Sequence, residues 1–281
     1  MKISIITITY NSAATLPRAL ESVRSQTYGD IEHIIVDGAS TDGTVDLIKA
    51  YADPPSLSPS LSPSLERVKS SARSDCRWPS VELPGVGFPS VHWISEPDNG
   101  IYNALNKGIA MATGDVIGFL HSDDVLYSPD SIGQIAAAFE SSGADVVYGD
   151  LEYRHGDKVV RRWRSNAFRR GDLKYGWMPP HPTVYVRREV YRQVGPYDEW
   201  FRISADYDMM LRIFTAGYKT CYIPQVLVAM ETGGASNRDA KARLSKTQED
   251  YFVLKKNHVG AGLLTVACKQ LRKIRQFLRK S

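Results

Sequence analysis

Four short runs rich in β-branched residues, at 3–10, 31–37, 91–95 and 116–120, are separated by segments of helical spacing such as Leu16, Ala19, Leu20 and Val23. This alternation is the sequence form of βαβ units, and it commits the first half of the chain to a parallel sheet with helices on its faces. Open parallel sheets bind ligands just beyond the carboxyl ends of their strands. The residues that follow each run are therefore read together: Thr9-Tyr10-Asn11, Asp37-Gly38-Ala39-Ser40, Glu96-Pro97-Asp98 and Ser122-Asp123-Asp124. Three of these four strand ends carry carboxylates. Capping a helix needs one acceptor, which is enough to explain Asp42 or Asp130. Adjacent Asp123 and Asp124 are different, because two like charges in a confined place repel unless a cation lies beside them.

The other constraints are broader. With 281 residues, 43% of them apolar, the chain can bury a substantial core. A formal charge of only +4, from 35 basic and 31 acidic residues, excludes a polyelectrolyte partner of nucleic acid. Cys76, Cys221 and Cys268 have neither zinc-site nor paired spacing, which suits a reducing cytoplasm. The apolar start at 3–6 is too short for a signal peptide, and no apolar run reaches the length of a spanning helix. Residues 54–90, with a tandem Ser-Leu-Ser-Pro repeat, read as a disordered, solvated insertion.

Beyond residue 145 the pattern changes. A hairpin is expected from 146–154 and 158–164 about His155-Gly156-Asp157, then a short strand at 183–186, a helix at 205–216, and strand structure over 218–230 broken at Pro224. Near the C-terminus Leu264, Ala267, Leu271, Ile274 and Leu278 form a helical apolar stripe, and six Lys or Arg lie between Lys269 and Lys280. A basic amphipathic helix of this kind suits an anionic membrane surface. Docking on the protein's own body, or on a second copy, is the alternative.

The stretches "SIITITYNSAATLPRALESVRSQ", "HIIVDGASTDGT", "ISEPDNGIYNALNKGIAMATGDVIGFLHSDD" and "ISADYDMMLRI" resemble, in order, the signatures of the family 2 glycosyltransferases. The enzymes of this type that the chain most resembles assemble bacterial exopolysaccharide, colanic-acid-like or O-antigen units. The resemblance implies an α/β GT-A fold, Rossmann-like, with a mixed central sheet over 1–231 and C-terminal helices in a tail over 232–281. It also implies inverting transfer from a nucleotide-sugar donor, a UDP- or GDP-sugar, to a hydroxyl of a glycan or lipid-linked acceptor on the inner face of the cell membrane.

Carried over by position, the resemblance implies that Asp124 binds Mg²⁺ or Mn²⁺ on the diphosphate and that Asp123 lies near the ribose. Thr9, Asn11, Asp37 and Asp98 match positions around the nucleotide. Many relatives carry Asp-Asp-Gly-Ser where this chain has Asp37-Gly38-Ala39-Ser40, so the acid often found on the base is missing. Asp206 matches the general base, although the usual Glu-Asp pair is Ala205-Asp206 here. Asp208 would point about 200° away on a helix and does not share the task. Trp177 and His181 are candidate acceptor contacts, by stacking on a sugar face and by donating to a hydroxyl. Lys107 is a weaker candidate for the phosphates. Two rivals share the fold: a nucleotidyltransferase, whose Gly-rich, Arg-containing first loop is absent, and an inactive sugar-binding scaffold. A P-loop hydrolase is excluded by the missing GxxxxGK[ST].

Overall fold

The computed structural model describes residues 1–53, 88–232 and 240–278. The expected insertion thus lies, over 54–87, outside the described residues. Strands β1 (Ile3–Thr9), β2 (Ile31–Asp37), β3 (Ser90–Ser95) and β4 (Val116–Phe119) alternate with helices α1 (Leu16–Arg24), α2 (Thr44–Ala52) and α3 (Ile101–Met111). They pair in parallel in the order β3-β2-β1-β4. This is the half of the fold that the alternation predicts.

The rest of the sheet is mixed. After β5 (Asp124–Leu126) and α4 (Ser131–Ser142) come the hairpin β6 (Val146–His155) and β7 (Lys158–Trp163), then β8 (Tyr185–Arg187), α5 (Arg188–Val194), α6 (Ala205–Thr215) and β9 (Thr220–Glu231). β8 joins β4 and β6 antiparallel, β9 runs parallel to β6, and β5 closes the row antiparallel to β9. Two expectations are corrected here. The chain does not break at Pro224: β9 runs through it, and the β6–β9 register shifts around Asp150. A proline lacks the N–H of a ladder bond, and an irregular register absorbs that loss. Asp124 also opens a strand of its own, so the paired acids sit in a tight turn between β4 and β5 rather than in an open loop.

Apolar residues of β1 divide between the faces with period two. Ile3 and Ile5 pack with Ala19, Val23, Ile132 and Phe139, whereas Ile6 and Ile8 pack with Tyr102, Leu105, Met210 and Phe214. Below the sheet, buried Glu32 accepts from Ser4 Oγ at 2.5 Å, Thr113 N at 2.8 Å and Thr113 Oγ1 at 2.6 Å, with Lys2 Nζ at 3.4 Å. Burial opposes the charge of Glu32, but these bonds prevail and hold its carboxyl down at about 2. A carboxyl whose native pKa is depressed stabilises the fold above its unfolded value, and that stability disappears as pH falls through the window down to about 2. Glu32→Gln is expected to remove this part of the acid sensitivity, read as a shallower loss of melting temperature below about pH 4.

The second half is fastened onto the first by side chains of α3. Asn103 and Asn106, one turn apart, both donate to Glu199, at 3.1 and 2.9 Å, and Tyr102 Oη donates to Ile203 O at 2.7 Å. Helix α7 (Ala240–Lys256) then holds the turn into α6: Glu249 accepts from the backbone N–H groups of Arg202, Ile203 and Ser204 at 2.8–3.2 Å. Helix α8 (Leu263–Leu278) packs on the segment 170–176 through Thr265, Val266 and Lys269. Gly176 makes this possible. Its φ is +69°, and a Cβ there would lie 2.8 Å from the Cα of Lys269.

Candidate active site

The loops after β1, β2 and β3 converge on one face. Asp37 is fully buried and accepts from Ser40 N at 2.9 Å, Ser40 Oγ at 2.5 Å and Ser95 Oγ at 2.7 Å. It therefore shapes the β2 loop. Asn11 joins that loop to the first one: its N–H donates to Ser40 Oγ at 2.8 Å, and its Oδ1 accepts from Thr41 N at 2.9 Å. Both Asn11 and Ala39 adopt positive φ, +46° and +60°, which a turn tolerates better for asparagine than for alanine. Asp98 accepts from Gly100 N at 2.9 Å at the start of α3 and turns its other oxygen toward Gly38, where a Cβ would meet it at 2.8 Å. Tyr10, two-thirds exposed, borders the same spot. Lys107 pairs with Glu96 at 2.7 Å and donates to Pro97 O at 3.1 Å, so it braces the β3 loop and does not reach for phosphate.

The turn after β4 holds the most unusual group. Asp124 is wholly buried, and neither of its carboxylate oxygens has a hydrogen-bond partner. Burial, with the charge of neighbouring Asp123 added, holds its carboxyl well above the usual range. Thr9 Oγ1 and His121 Nδ1 are likewise buried without partners. Buried polar atoms in folded proteins are nearly always satisfied, so a set of orphans at neighbouring strand ends marks a place that a ligand completes. A hard cation fits Asp124, because it offers two oxygens and no competing donor. No group of three or more His, Cys, Asp or Glu able to hold a metal occurs among the described residues, so such an ion would draw its other ligands from substrate and water.

Asp206 enters from the first turn of α6. It is half-buried, its Oδ1 accepts from Tyr207 N at 2.7 Å, and it has no ion pair among the described residues. Two imidazoles lie between it and the aspartate pair. His121 and His181 stack with ring centroids 6.1 Å apart, and His181 stacks on Phe119 at 5.2 Å. Burial lowers both, His181 to about 4, although Asp206 pulls each upward and Asp123 does so for His121. Neutral imidazoles therefore separate the carboxylates. Asp208 is a different kind of residue: fully buried, it is held by Arg212 at 2.9 Å, Lys256 at 3.0 Å and Asn257 at 2.8 Å.

The two acceptor candidates point inward. Trp177 donates its indole N–H to Ser165 O at 2.8 Å, and its ring lies among Tyr148, Phe168 and Phe214. That leaves no free face for a sugar. His181 is buried and shares a 2.7 Å hydrogen bond with Tyr197 Oη, so it is part of the wall. Two residues escape the sequence reading. His121 stands two residues before the acids, a signal that was available. Tyr153 is brought in only by register, since Asp124 lies opposite Met230, Met230 beside Tyr153, and Tyr153 opposite Arg161. The Arg161 guanidinium stacks 4.5 Å from the Tyr153 ring.

Known proteins resemble this chain over most of its length. The family described as Glycosyl transferase family 2 matches residues 4–64 and 82–204. A PGL/p-HBAD biosynthesis glycosyltransferase of Mycobacterium tuberculosis is 34% identical over 237 residues, which cover 83% of this chain and 78% of that protein. An uncharacterized glycosyltransferase of Nostoc sp. is 30% identical over 265 residues, covering 89% and 70%. Among solved structures, S. aureus TarS in complex with UDP superposes with a TM-score of 0.64 at 16% identity, covering all of this chain and 71% of that one. The mannosyltransferase PcManGT from Pyrobaculum calidifontis, in complex with GDP-Man and Mn²⁺, gives 0.61 at 17%, covering 95% and 69%. These two likenesses establish the GT-A fold. With a family match over most of its length and relatives of 30% and 34% identity, the chain belongs to glycosyl transferase family 2 and is a glycosyltransferase.

Proposed function

We propose that the protein is an inverting glycosyltransferase that moves a sugar from a UDP- or GDP-sugar to a hydroxyl of a glycan or lipid-linked acceptor in cell-surface polysaccharide synthesis. The observation that carries this reading is Asp124, a buried carboxylate with both oxygens unpartnered beside a second acid at the ends of parallel strands. A scaffold that had lost activity would gain by replacing such a residue, since a buried polar atom without a partner costs about 1–3 kcal/mol. In this reading Tyr10, Asn11, Gly38 and Asp98 border the nucleoside, with Asp37 holding their loops and Thr9 and Asp123 facing the ribose and phosphates. Asp124 would hold Mg²⁺ or Mn²⁺, which when bound neutralises charge developing on the departing diphosphate.

Asp206 takes the proton of the acceptor hydroxyl. The hydroxyl oxygen forms its bond to the anomeric carbon on the face opposite the diphosphate, whose bond to that carbon breaks, and the configuration inverts. Asp206 sits in the first turn of α6, where it faces the two imidazoles. Neutral His121 and His181 neither repel a donor cation nor pair with Asp206. Residues 1–231 form the transferase body, and 232–281 an extension that braces Asp206 through Glu249. On the outer face of α8, Leu263, Leu264 and Leu271 are exposed, and from Tyr251 onward the chain has eight Lys or Arg and no Asp or Glu. We place this face on an anionic membrane surface. Among the described residues no helix is long and apolar enough to cross a membrane.

Thermal stabilisation tests the donor site. UDP or GDP, at about a hundredfold excess over Kd with Mn²⁺, is expected to raise the melting temperature by about 5 °C or more, and chelator to abolish the rise. A flat response to every nucleotide, with or without metal, would refute the reading.

A further inference from the structure

The donor face uses acids and orphaned acceptors, yet the molecule also holds a cationic cavity that this chemistry leaves unused. It measures about 590 Å³ and lies between the end of β7, the segment 164–178 and α8. Its walls carry Arg162, Arg164, Arg169, Lys269 and Arg272 against one acid, Asp172. Local geometry explains the convergence. Arg162 and Arg164 are two apart along an extended chain and share a side, and Lys269 and Arg272 are one turn apart on a helix. The close approach of Gly176 to Lys269 brings the two walls together.

Some of these cations are already balanced. Arg162 pairs with Glu152 at 2.9 Å and Lys269 with Asp250 at 2.9 Å. Arg169 and Arg272, on opposite walls, have no ion pair among the described residues. Two guanidinium groups facing one cavity suit a phosphate, whose oxygens accept their planar, forked donors.

One wall residue of the cavity, Lys269, reaches toward the helix that carries the proposed base. Lys269 Nζ lies 3.3 Å from the ring centroid of Tyr207, the residue after Asp206. From the cavity wall at Trp177 the chain runs only four residues to His181, whose imidazole feels the charge of Asp206. A ligand held by its phosphate here would extend its other end toward the base. The nucleotide donor belongs to the opposite, acid-bearing strand ends, so the anion received here is on the other substrate.

Resting on the glycosyltransferase reading above, we propose that the cavity lined by Arg169 and Arg272 is an acceptor subsite for a phosphate ester, so that the acceptor of this enzyme carries a phosphate near its reacting hydroxyl. The outward Leu stripe of α8 gives that ester a second source, a phospholipid headgroup, and the test separates the two.

The full-length chain, in chelator to silence the donor site, is titrated calorimetrically with hexyl phosphate. Wild type is expected to bind, the double variant Arg169→Ala/Arg272→Ala to lose about tenfold or more, as two charged hydrogen-bonding groups are removed, and Arg169→Lys/Arg272→Lys to keep most of the affinity. Co-sedimentation with phosphatidylglycerol vesicles is expected to be the same for wild type and the alanine pair. Equal affinity of wild type and the alanine pair for hexyl phosphate would overturn the proposal. So would vesicle binding that falls in the alanine pair while hexyl phosphate fails to bind, since the cavity would then read headgroups. Nucleotide-induced stabilisation with Mn²⁺ is run on the same proteins. Its absence in wild type would indict the glycosyltransferase reading instead, and its persistence in the alanine pair shows that the variant is folded.

Discussion

Asp206→Asn is expected to lower kcat for sugar transfer by about 10²–10⁴-fold, the usual contribution of a positioned general base. The affinity for UDP or GDP with Mn²⁺ is expected to stay within about twofold of wild type, because the lost interaction is made only in the transition state. Asparagine keeps the size of the side chain and an oxygen for the Tyr207 N–H, so the turn of α6 survives. No neighbour can take over the role. Asp208 is buried and committed to three partners, and His181 and His121 lie with their faces stacked in the wall. A variant that lost nucleotide binding in step with turnover would show that Asp206 serves the donor and not the acceptor.

Asp124→Asn is expected to separate stability from function. At neutral pH without metal it should stabilise the protein, because the neutral amide avoids the burial of a charge beside Asp123 that raises the Asp124 carboxyl. The sign follows from linkage. Because the native carboxyl lies above its usual range, the folded state holds its proton more tightly than the unfolded state, and stability falls as pH rises from the unfolded value through the native one. The gain from asparagine should therefore vanish below about pH 3, where the acid is protonated in both states. The same substitution should weaken Mn²⁺-dependent binding of the nucleotide diphosphate at least tenfold by calorimetry, through loss of a carboxylate ligand. A variant that is no more stable at neutral pH, or that still binds nucleotide in a metal-dependent way, would remove Asp124 from the metal-binding role.

These two residues were legible in different degrees. Asp124 stood out because an apolar strand running into adjacent acids is hard to explain by capping. What could not be read is that the turn tightens into β5 at Asp124 itself, which is what buries both oxygens. Asp206 was visible only through resemblance. Its helix has no side-chain cap of its own, and the turn that leads into it is held from α7 by Glu249, more than forty residues along the chain. Trp177 stayed open in the sequence for a related reason. An aromatic beside two prolines is equally compatible with a binding wall and with a core, and only the packing of Tyr148, Phe168 and Phe214 around its ring decides for the core.

The tail gives the sharpest contrast. Periodicity in α8 correctly separated an apolar stripe from a basic face, yet the body of the protein covers Thr265, Val266 and Lys269 and leaves Leu264 and Leu271 in solvent. A buried lysine is affordable there because Asp250 lies 2.9 Å away and Tyr207 lends its ring face.

By itself, then, the sequence determined the βαβ front half, the parallel run of its strands and the acids placed at their ends, since periodicity, turn chemistry and charge adjacency act over a few residues. Only the tertiary structure decided which acids remain unpaired, which aromatic rings face inward, which side of α8 is covered and which cations share a cavity. Each of those depends on partners tens of residues distant, and a buried group's energy is set by the neighbours that surround it rather than by its place in the chain.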